Sequence, residues 1–191
     1  MGESTLPSLR KSLLTAPILN KDGYPYFVHP ITDGVPRLEA DVLKEIIDYA
    51  YELIHWDDID LLLGIEAMGL PLTAPLSLRT NKPFAVIRKR TYGLDGEIKI
   101  DQKTGYSKGS MFINDVQAGE KVIIFDDVIS TGGTLGSVIQ ALLESGVEVP
   151  HIITVVEKGD GVMKLRTRFP NISFHSILRV KMVGTDLTIL E

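Results

Sequence analysis

The sequence predicts an α/β fold in which helices cover both faces of a mainly parallel sheet. Short β-prone apolar segments alternate along the chain with segments whose apolar residues repeat at helical spacing. The 191 residues, of which 44% are hydrophobic and 24% charged, suit a single domain with a sizeable core. Glycine and proline are dispersed, so residues 1–191 are predicted to form one domain without an internal linker.

The first half of the chain is predicted to contain two helices and two strands. Apolar residues at helical spacing predict an amphipathic helix over 41–54, and 59–65 have the composition of a buried strand. A second helix is expected to begin near Ala67. Residues 83–88 then predict another short strand, which leads into a basic cluster at Arg88, Lys89 and Arg90.

Between 91 and 110 the chain turns polar and shows no hydrophobic periodicity. Four glycines are spaced through the segment, and a structureless stretch of this length is unusual inside a compact domain unless it has a function. The segment is therefore predicted to be a flexible lid loop. Its composition fits a plain exposed β-hairpin equally well.

The second half of the chain continues the alternation of strands and helices. Residues 121–125 (KVIIF) predict a strand, and apolar residues at helical spacing after Thr134 predict the helix that follows it. Residues 149–156 and 172–178 supply two further apolar strands. The order of these elements is what favours the parallel sheet.

Two adjacent acids, Asp126 and Asp127, follow the strand at 121–125. In open parallel sheets, ligands bind beyond the carboxyl ends of the strands. Carboxylates would repel a phosphate that touched them, so these two are expected to accept hydrogen bonds from sugar hydroxyls or to contact the water shell of a metal ion.

A glycine-containing turn comes next and leads directly into a helix. Its residues are Ser130, Thr131, Gly132, Gly133 and Thr134. Backbone N–H groups, the positive end of the helix and side-chain hydroxyls converge there, which suits a phosphate monoester. Acids and turn together predict a site for a ribose 5-phosphate.

Composition and motifs argue against several other functions. A net charge of −5 disfavours binding to nucleic acid or an anionic membrane. Without cysteine, and with four scattered histidines, the protein is expected to hold no metal directly. There is no P-loop motif, and the GxG at Gly159 and Gly161 lacks the third glycine of a dinucleotide fingerprint. No signal segment is visible at the N-terminus, so a cytoplasmic protein with small-molecule partners is expected.

The run Val122 to Thr134 (VIIFDDVISTGGT) resembles the signature with which type I phosphoribosyltransferases bind phosphoribosyl pyrophosphate (PRPP). The resemblance implies that Asp126 and Asp127 hold the ribose 2′ and 3′ hydroxyls, and that Ser130 to Thr134 wrap the 5-phosphate. It also implies the fold of that family, Mg²⁺ carried in by PRPP, and a homodimer.

The run Gly64 to Leu70 (GIEAMGL) is similar to the pyrophosphate loop of purine transferases; the alternative is a simple strand-to-helix turn. The resemblance implies pyrophosphate contacts from Glu66, Ala67, Met68 and Gly69. Adenine enzymes often carry an arginine where Met68 stands. Arg88 and Lys89 are therefore candidates for meeting the pyrophosphate charge, unless they form only a solvated basic edge.

The flexible loop of the family corresponds to 91–110. The resemblance implies that it closes over the reacting centre and excludes water. Its candidate contacts are Tyr106, Ser107 and Lys108, and Lys108 is also a candidate catalytic residue beside Asp126 and Asp127.

The run 155–158 (VVEK) is similar to a strand end in hypoxanthine, guanine and xanthine transferases, where a lysine meets the 6-oxo group. Lys158 would then donate to O6, because an ammonium has only donors and leaves the amino group of adenine unpaired. The alternative is a surface lysine paired with Glu157. Over most of its length the chain resembles the archaeal hypoxanthine-guanine subfamily, in which 17–36 would form a hood over the base. Phe27 would pack near the base or in the core.

The resemblance implies a purine salvage reaction: hypoxanthine or guanine and PRPP give IMP or GMP and pyrophosphate. The alternatives are transfer to adenine or xanthine, and a regulator that binds PRPP without turning it over. Many hypoxanthine-guanine enzymes have an aspartate, suspected of handling the N7 proton, where Ser130 stands. Serine is a poor base, so the proton-transfer group is left open.

Overall fold

The computed structural model describes residues 6–21, 23–103, 108–184 and 186–190. Within these ranges the elements, in chain order, are α1 (Pro7–Leu14), β1 (Ile18–Lys21), β2 (Tyr24–Phe27), α2 (Pro30–Asp33), α3 (Ala40–Glu52), β3 (Leu61–Ile65), α4 (Leu70–Thr80), β4 (Phe84–Ile87), β5 (Ile98–Lys103), β6 (Lys108–Ile113), β7 (Lys121–Ile129), α5 (Gly133–Glu144), β8 (Glu148–Lys158), α6 (Gly161–Arg168), β9 (Ser173–Val183) and β10 (Asp186–Leu190). None of the described helices is long and apolar enough to span a membrane.

A six-stranded sheet with the order β10-β9-β8-β7-β3-β4 forms the centre of the molecule. From β9 to β4 neighbouring strands run parallel, and β10 pairs antiparallel with β9. Two antiparallel pairs, β1–β2 and β5–β6, stand apart from this sheet. The predicted α/β fold with a mainly parallel sheet is confirmed.

Both faces of the sheet are buried, each in its own apolar core. Successive side chains of a strand point to opposite faces, so Ile123 lies in one core and Ile124 in the other. The first core also contains α1, α3 and α4, and the second contains α5, α6 and the β5–β6 hairpin. Burial on both faces explains why β3 and the first half of β7 are continuous apolar runs.

Several element boundaries differ from the sequence prediction. The second helix begins at Leu70 instead of near Ala67, because the residues before it form a turn at the end of β3. The strand predicted over 121–125 continues to Ile129, so Asp126 and Asp127 lie within β7 and not beyond its end. Parallel pairing with β8 through Ile129 keeps this polar end of β7 extended.

The segment 91–110 is not a structureless loop throughout. Its described part contains β5 and the start of β6, which pair as an antiparallel hairpin, and Ile100, Met111 and Ile113 are buried in the second core. Arg88 and Phe112 exchange two backbone hydrogen bonds, of 2.9 and 2.7 Å, which attach the hairpin beside the end of β4. Ile98 and Ile100 alternate with polar residues, which is a strand pattern, so the prediction that 91–110 shows no hydrophobic periodicity is wrong for this part.

The N-terminal helix α1 is an element that the sequence pattern does not predict. Its first amides are capped from α3, where the Glu45 carboxylate accepts hydrogen bonds from the backbone N–H of Ser8 and of Leu9, each at 2.9 Å. A cap supplied from 36 residues away is invisible to any local sequence window.

Candidate active site

The two acids lie near the carboxyl end of β7, at the sheet edge where β3 and β8 also end. Asp126 and Asp127 interact directly with each other. Burial raises the pKa of both carboxyl groups above the usual aspartate range, and the charge of Asp127 raises the pKa of Asp126 further. Two buried, neighbouring carboxylates are stabilised by a hydroxyl donor or a cation. Sugar hydroxyls and a hydrated metal ion, the partners predicted from the sequence, would supply this.

The predicted phosphate turn joins β7 to α5 as the sequence indicates. Ser130 and Thr131 are exposed, and Gly133 and Thr134 open the helix. Gly132 has a φ of +77°, a left-handed conformation that disfavours a side chain. The first backbone N–H groups of α5 are thus presented at the turn, as an anion site at a helix N-terminus requires.

Gly161, the first residue of α6, supports this turn from behind. Its N–H donates to the Ser130 carbonyl at 2.9 Å. A Cβ at Gly161 would lie 2.4 Å from the Ser130 carbonyl oxygen and 2.8 Å from the Gly132 nitrogen, so only glycine permits this approach. A Cβ at Gly132 would in turn meet Leu165 of α6 at 3.1 Å. Sequence reasoning missed Gly161, although the GxG with Gly159 was visible, because its partners lie about thirty residues upstream.

The predicted pyrophosphate loop fills the turn between β3 and α4. It contains a cis peptide bond between Glu66 and Ala67. A Cβ at Gly69 would lie 2.6 Å from the Ile65 nitrogen and 3.0 Å from the Phe125 carbonyl oxygen. The loop therefore packs directly on β3 and on β7, next to the first of the two acids.

Glu66 connects this loop to the basic cluster after β4. Its Oε2 accepts a hydrogen bond from the Lys89 backbone N–H at 3.1 Å and lies 3.9 Å from Arg88 Nε. Arg88 Nε is buried without a hydrogen-bond partner, and its guanidinium lies 5.2 Å from the centre of the Tyr92 ring. Met68 instead faces the hood, where a Cβ at Gly34 would be 3.3 Å from its sulfur.

The two predicted base-contacting residues come together. The Lys158 Nζ lies over the Phe27 ring, 5.6 Å from its centre, although the residues are far apart in sequence. Phe27 is also buried in the first core, which is one of the two roles considered for it, and its contact with the base stays a prediction. Glu157 is buried and forms an ion pair with Arg179 of β9 at 3.3 Å. The alternative interpretation of the sequence pairs Glu157 with Lys158.

The predicted lid contacts fall largely outside what the structure describes. Tyr106 and Ser107 lie outside the described residues, and Lys108 is the first residue of β6, whose side-chain placement is not described. These three assignments stay predictions.

A third carboxyl approaches the acids from α2, and sequence reasoning did not assign it. Asp33 accepts a hydrogen bond from the Tyr26 hydroxyl at 2.5 Å, and its charge contributes to the raised pKa of Asp127. Burial, then Asp33 and finally Asp127 raise the pKa of Tyr26 to about 12. The only sequence signal was the predicted position of the hood over the site.

Residues 36–183 match the family model described as the phosphoribosyl transferase domain. The match spans most of the chain, which therefore belongs to this family, as the sequence predicts. The chain is 52% identical to the hypoxanthine/guanine phosphoribosyltransferase of Methanohalophilus mahii over 97% of this chain and 96% of the relative. It is 43% identical to the HGPRTase-like protein 2 of Haloarcula marismortui, over 96% of each chain.

Solved structures agree on the fold. The adenine phosphoribosyltransferase of Thermoanaerobacter pseudethanolicus superposes with a TM-score of 0.74 over 90% of this chain and 99% of that chain, at 23% identity. At this identity the likeness supports the type I phosphoribosyltransferase fold and does not bear on the base.

Proposed function

We propose that the protein transfers the phosphoribosyl group of PRPP to hypoxanthine or guanine, which gives IMP or GMP and pyrophosphate. The observation that carries this proposal is the Lys158 ammonium above the buried Phe27 ring, at the end of the strand beside the acids of β7. The proposal is supported by relatives that bear the name of this activity, among them two at 52% and 49% identity.

The ribose 5-phosphate end of PRPP is assigned to β7 and its turn. Asp126 and Asp127 accept hydrogen bonds from the ribose hydroxyls, and Ser130 to Thr134 bind the 5-phosphate through backbone N–H groups and hydroxyls. The two carboxyls also suit the water shell of Mg²⁺, because a nearby cation stabilises the ionised form of a buried carboxyl. Mg²⁺, carried by PRPP, would neutralise the pyrophosphate charge.

The pyrophosphate end is assigned to the backbone of Glu66, Ala67, Met68 and Gly69. Arg88 and Lys89 supply positive charge beside this loop, and Glu66 holds both residues near it. Tyr106, Ser107 and Lys108 would close over the reacting centre, as the family's flexible loop does.

The base is assigned to the space between the hood and the end of β8. Phe27 offers an apolar ring, and Lys158 donates to the 6-oxo oxygen of the purine. Adenine presents an amino group there, which cannot accept a hydrogen bond from the ammonium. Discrimination against adenine is therefore expected at this contact.

The reaction needs positioning and charge stabilisation more than covalent chemistry. The purine N9 attacks C1 of the ribose, the C1–oxygen bond breaks, and pyrophosphate leaves with its electrons. The Ser130 hydroxyl is exposed but is a poor base, so the proton leaves the purine to another group or to water. The family resemblance also supports a homodimer acting in the cytoplasm, and sedimentation of the purified protein tests the first of these.

The decisive experiment supplies the protein with Mg²⁺, PRPP and equal amounts of hypoxanthine, guanine, adenine and xanthine, and identifies the nucleotides formed. IMP and GMP are expected. AMP alone would overturn the role of Lys158, XMP alone would keep that role but change the base, and PRPP binding without any nucleotide would make the protein a PRPP-binding regulator.

A further inference from the structure

Asp33 is the most heavily hydrogen-bonded side chain of the hood among those described. Its Oδ1 accepts from the Tyr26 hydroxyl at 2.5 Å. Its Oδ2 accepts from the Thr32 hydroxyl at 2.6 Å and from the His29 backbone N–H at 3.1 Å. A carboxylate with three donors from its own surroundings is fixed in position, and it fixes those donors in turn.

On one side, Asp33 is connected to the proposed base site. The Tyr26 ring stacks on the Phe27 ring with 6.3 Å between centres and 16° between planes. Phe27 in turn lies beneath the Lys158 ammonium. The orientation of Tyr26, which Asp33 holds through its hydroxyl, therefore bears on the aromatic surface offered to a purine.

On the other side, Asp33 is connected to the proposed PRPP site. Its negative charge acts on Asp127, whose pKa it raises, and Gly34, the next residue, packs on Met68 of the pyrophosphate loop. The hood thus packs at the proposed base and pyrophosphate subsites and acts electrostatically on the ribose acids, and Asp33 is linked to all three.

We propose that Asp33 is a positioning residue for phosphoribosyl transfer, which holds Tyr26 and the hood so that the base site and the ribose acids keep their mutual placement. This inference rests on the proposed function. Asp33 acts through Tyr26 and Asp127, and no direct contact with substrate is required of it.

The first test is the Asp33→Asn variant, which keeps the shape of the side chain. Asparagine can still accept from Tyr26, but its amide nitrogen cannot accept from Thr32 and the His29 backbone. Loss of these charge-assisted hydrogen bonds is expected to raise KM for hypoxanthine about tenfold, with kcat changed less than threefold. Asp57→Asn is the matched control, because Asp57 is exposed and precedes β3 at the opposite edge of the sheet.

The second readout is the pH dependence of PRPP binding, which a merely structural role of Asp33 would not change. The charged groups that act on Asp127 are Asp126 on the same strand and Asp33 on α2. Removing the Asp33 charge lowers the pKa of Asp127, so Asp127 ionises at lower pH. The acidic limb of PRPP binding, measured by titration calorimetry between pH 5 and pH 8, is expected to move to lower pH in Asp33→Asn and to stay in place in Asp57→Asn.

A companion variant separates the hydrogen bond from the charge. Tyr26→Phe removes the hydroxyl but keeps both the ring and Asp33, so KM for hypoxanthine is expected to rise while the pH limb of PRPP binding stays where it is. If Asp33→Asn fails to fold by circular dichroism, Tyr26→Phe alone decides, and an unchanged KM in that variant overturns the inference.

The outcomes distinguish this inference from the proposed function. Wild-type protein that forms no nucleotide contradicts the proposed function, and the PRPP titration still tests the link from Asp33 to Asp127. Active wild-type protein together with Asp33→Asn of unchanged KM and unchanged pH limb contradicts the positioning role alone.

Discussion

The phosphate turn and the hood are two walls of the candidate site, and they are held in different ways. The turn is held by backbone packing, where Gly161 of α6 lies against Ser130 and Gly132. The hood is held by side-chain hydrogen bonds around Asp33 and His29. The turn depends on glycines, whose lack of a side chain allows the close packing. The hood depends on side chains that can gain or lose a proton.

This difference suits the two parts of the substrate. A 5-phosphate is always the same anion, and the backbone N–H groups and hydroxyls of a fixed turn suit it whichever base is bound. A purine is one of several similar rings, and side chains can be exchanged to select among them. Variants of the turn should therefore affect PRPP with every base, whereas variants of the hood and β8 should affect some bases more than others.

The largest effect on PRPP binding is expected from the double variant Asp126→Asn with Asp127→Asn, which removes both acids of β7. Hydrogen bonds to charged groups contribute about 1.5–3 kcal/mol each, so loss of both should weaken PRPP binding by about 10²–10⁴-fold for every base. The raised pKa of both carboxyls means that their charge destabilises the folded state at pH 7. The melting temperature should therefore stay the same or rise. A folded double variant with unchanged PRPP affinity would remove the ribose assignment.

The next largest effect is expected from Gly161→Ala, which tests the backbone-held wall. The new methyl group would meet backbone atoms of the turn at 2.4–2.9 Å, so the turn or α6 must move. We expect a loss of about 2–4 kcal/mol in the free energy of unfolding and at least a tenfold rise in KM for PRPP with hypoxanthine and guanine alike. Urea unfolding and steady-state kinetics measure the two.

Gly119→Ala is the control for that variant. Gly119 has a positive φ of +87°, but a Cβ there would meet no atom within 4 Å, and it lies before β7 at the opposite edge of the sheet. It should cost about 1 kcal/mol of stability through its backbone conformation alone and leave KM for PRPP unchanged. Equal kinetic effects in the two variants would show that the turn does not depend on close packing by α6.

The same contrast explains what the sequence could and could not predict. The strand β7, its two acids and the turn are consecutive, so local pattern predicts them together. Gly161 and Asp33 are missed because their roles depend on residues distant in sequence: Gly161 packs on Ser130, and the charge of Asp33 acts on Asp127. The β5–β6 hairpin is predicted only as an exposed alternative to the lid loop. Its burial is missed because its alternating isoleucines are embedded in polar residues and are covered by the second core, which contains α5.

Base selection is tested by Lys158→Met, with a moderate expected effect. Methionine keeps the length of the apolar stem but cannot donate to a 6-oxo group. Loss of one charge-assisted hydrogen bond should lower kcat/KM for hypoxanthine and guanine by about 10–100-fold, while KM for PRPP changes less than threefold. The control is Lys164→Met, which removes an exposed lysine that pairs with Asp160 on the first turn of α6. A fall in PRPP affinity as large as the fall in kcat/KM would place Lys158 on the phosphate side of the site.

The effect expected at the hood concerns acid stability and not catalysis. The buried His29 accepts a hydrogen bond from the Ile31 N–H on Nδ1, so the neutral ring carries its proton on Nε2, which lies 2.7 Å from the Ser12 hydroxyl. Burial lowers the pKa of His29 from 6.5 to about 4. Between these values the unfolded chain binds a proton that the folded chain does not, so the free energy of unfolding should fall as pH drops from 6.5 to 4. One pKa unit corresponds to about 1.4 kcal/mol, and the total loss should be on the order of 2–3 kcal/mol.

His29→Asn should remove this part of the pH dependence, because asparagine can cap α2 without titrating. Urea unfolding at pH 7, 6, 5 and 4 measures it, with the exposed His55→Asn as control. His151 and His175, which also have lowered pKa values through burial, remain in both variants and cancel in the comparison. If the free energy of unfolding depends on pH equally in wild type and in His29→Asn, His29 in the folded hood accepts the proton. The contrast between a turn held by its backbone and a hood sensitive to protons would then rest on Asp33 and Tyr26 alone.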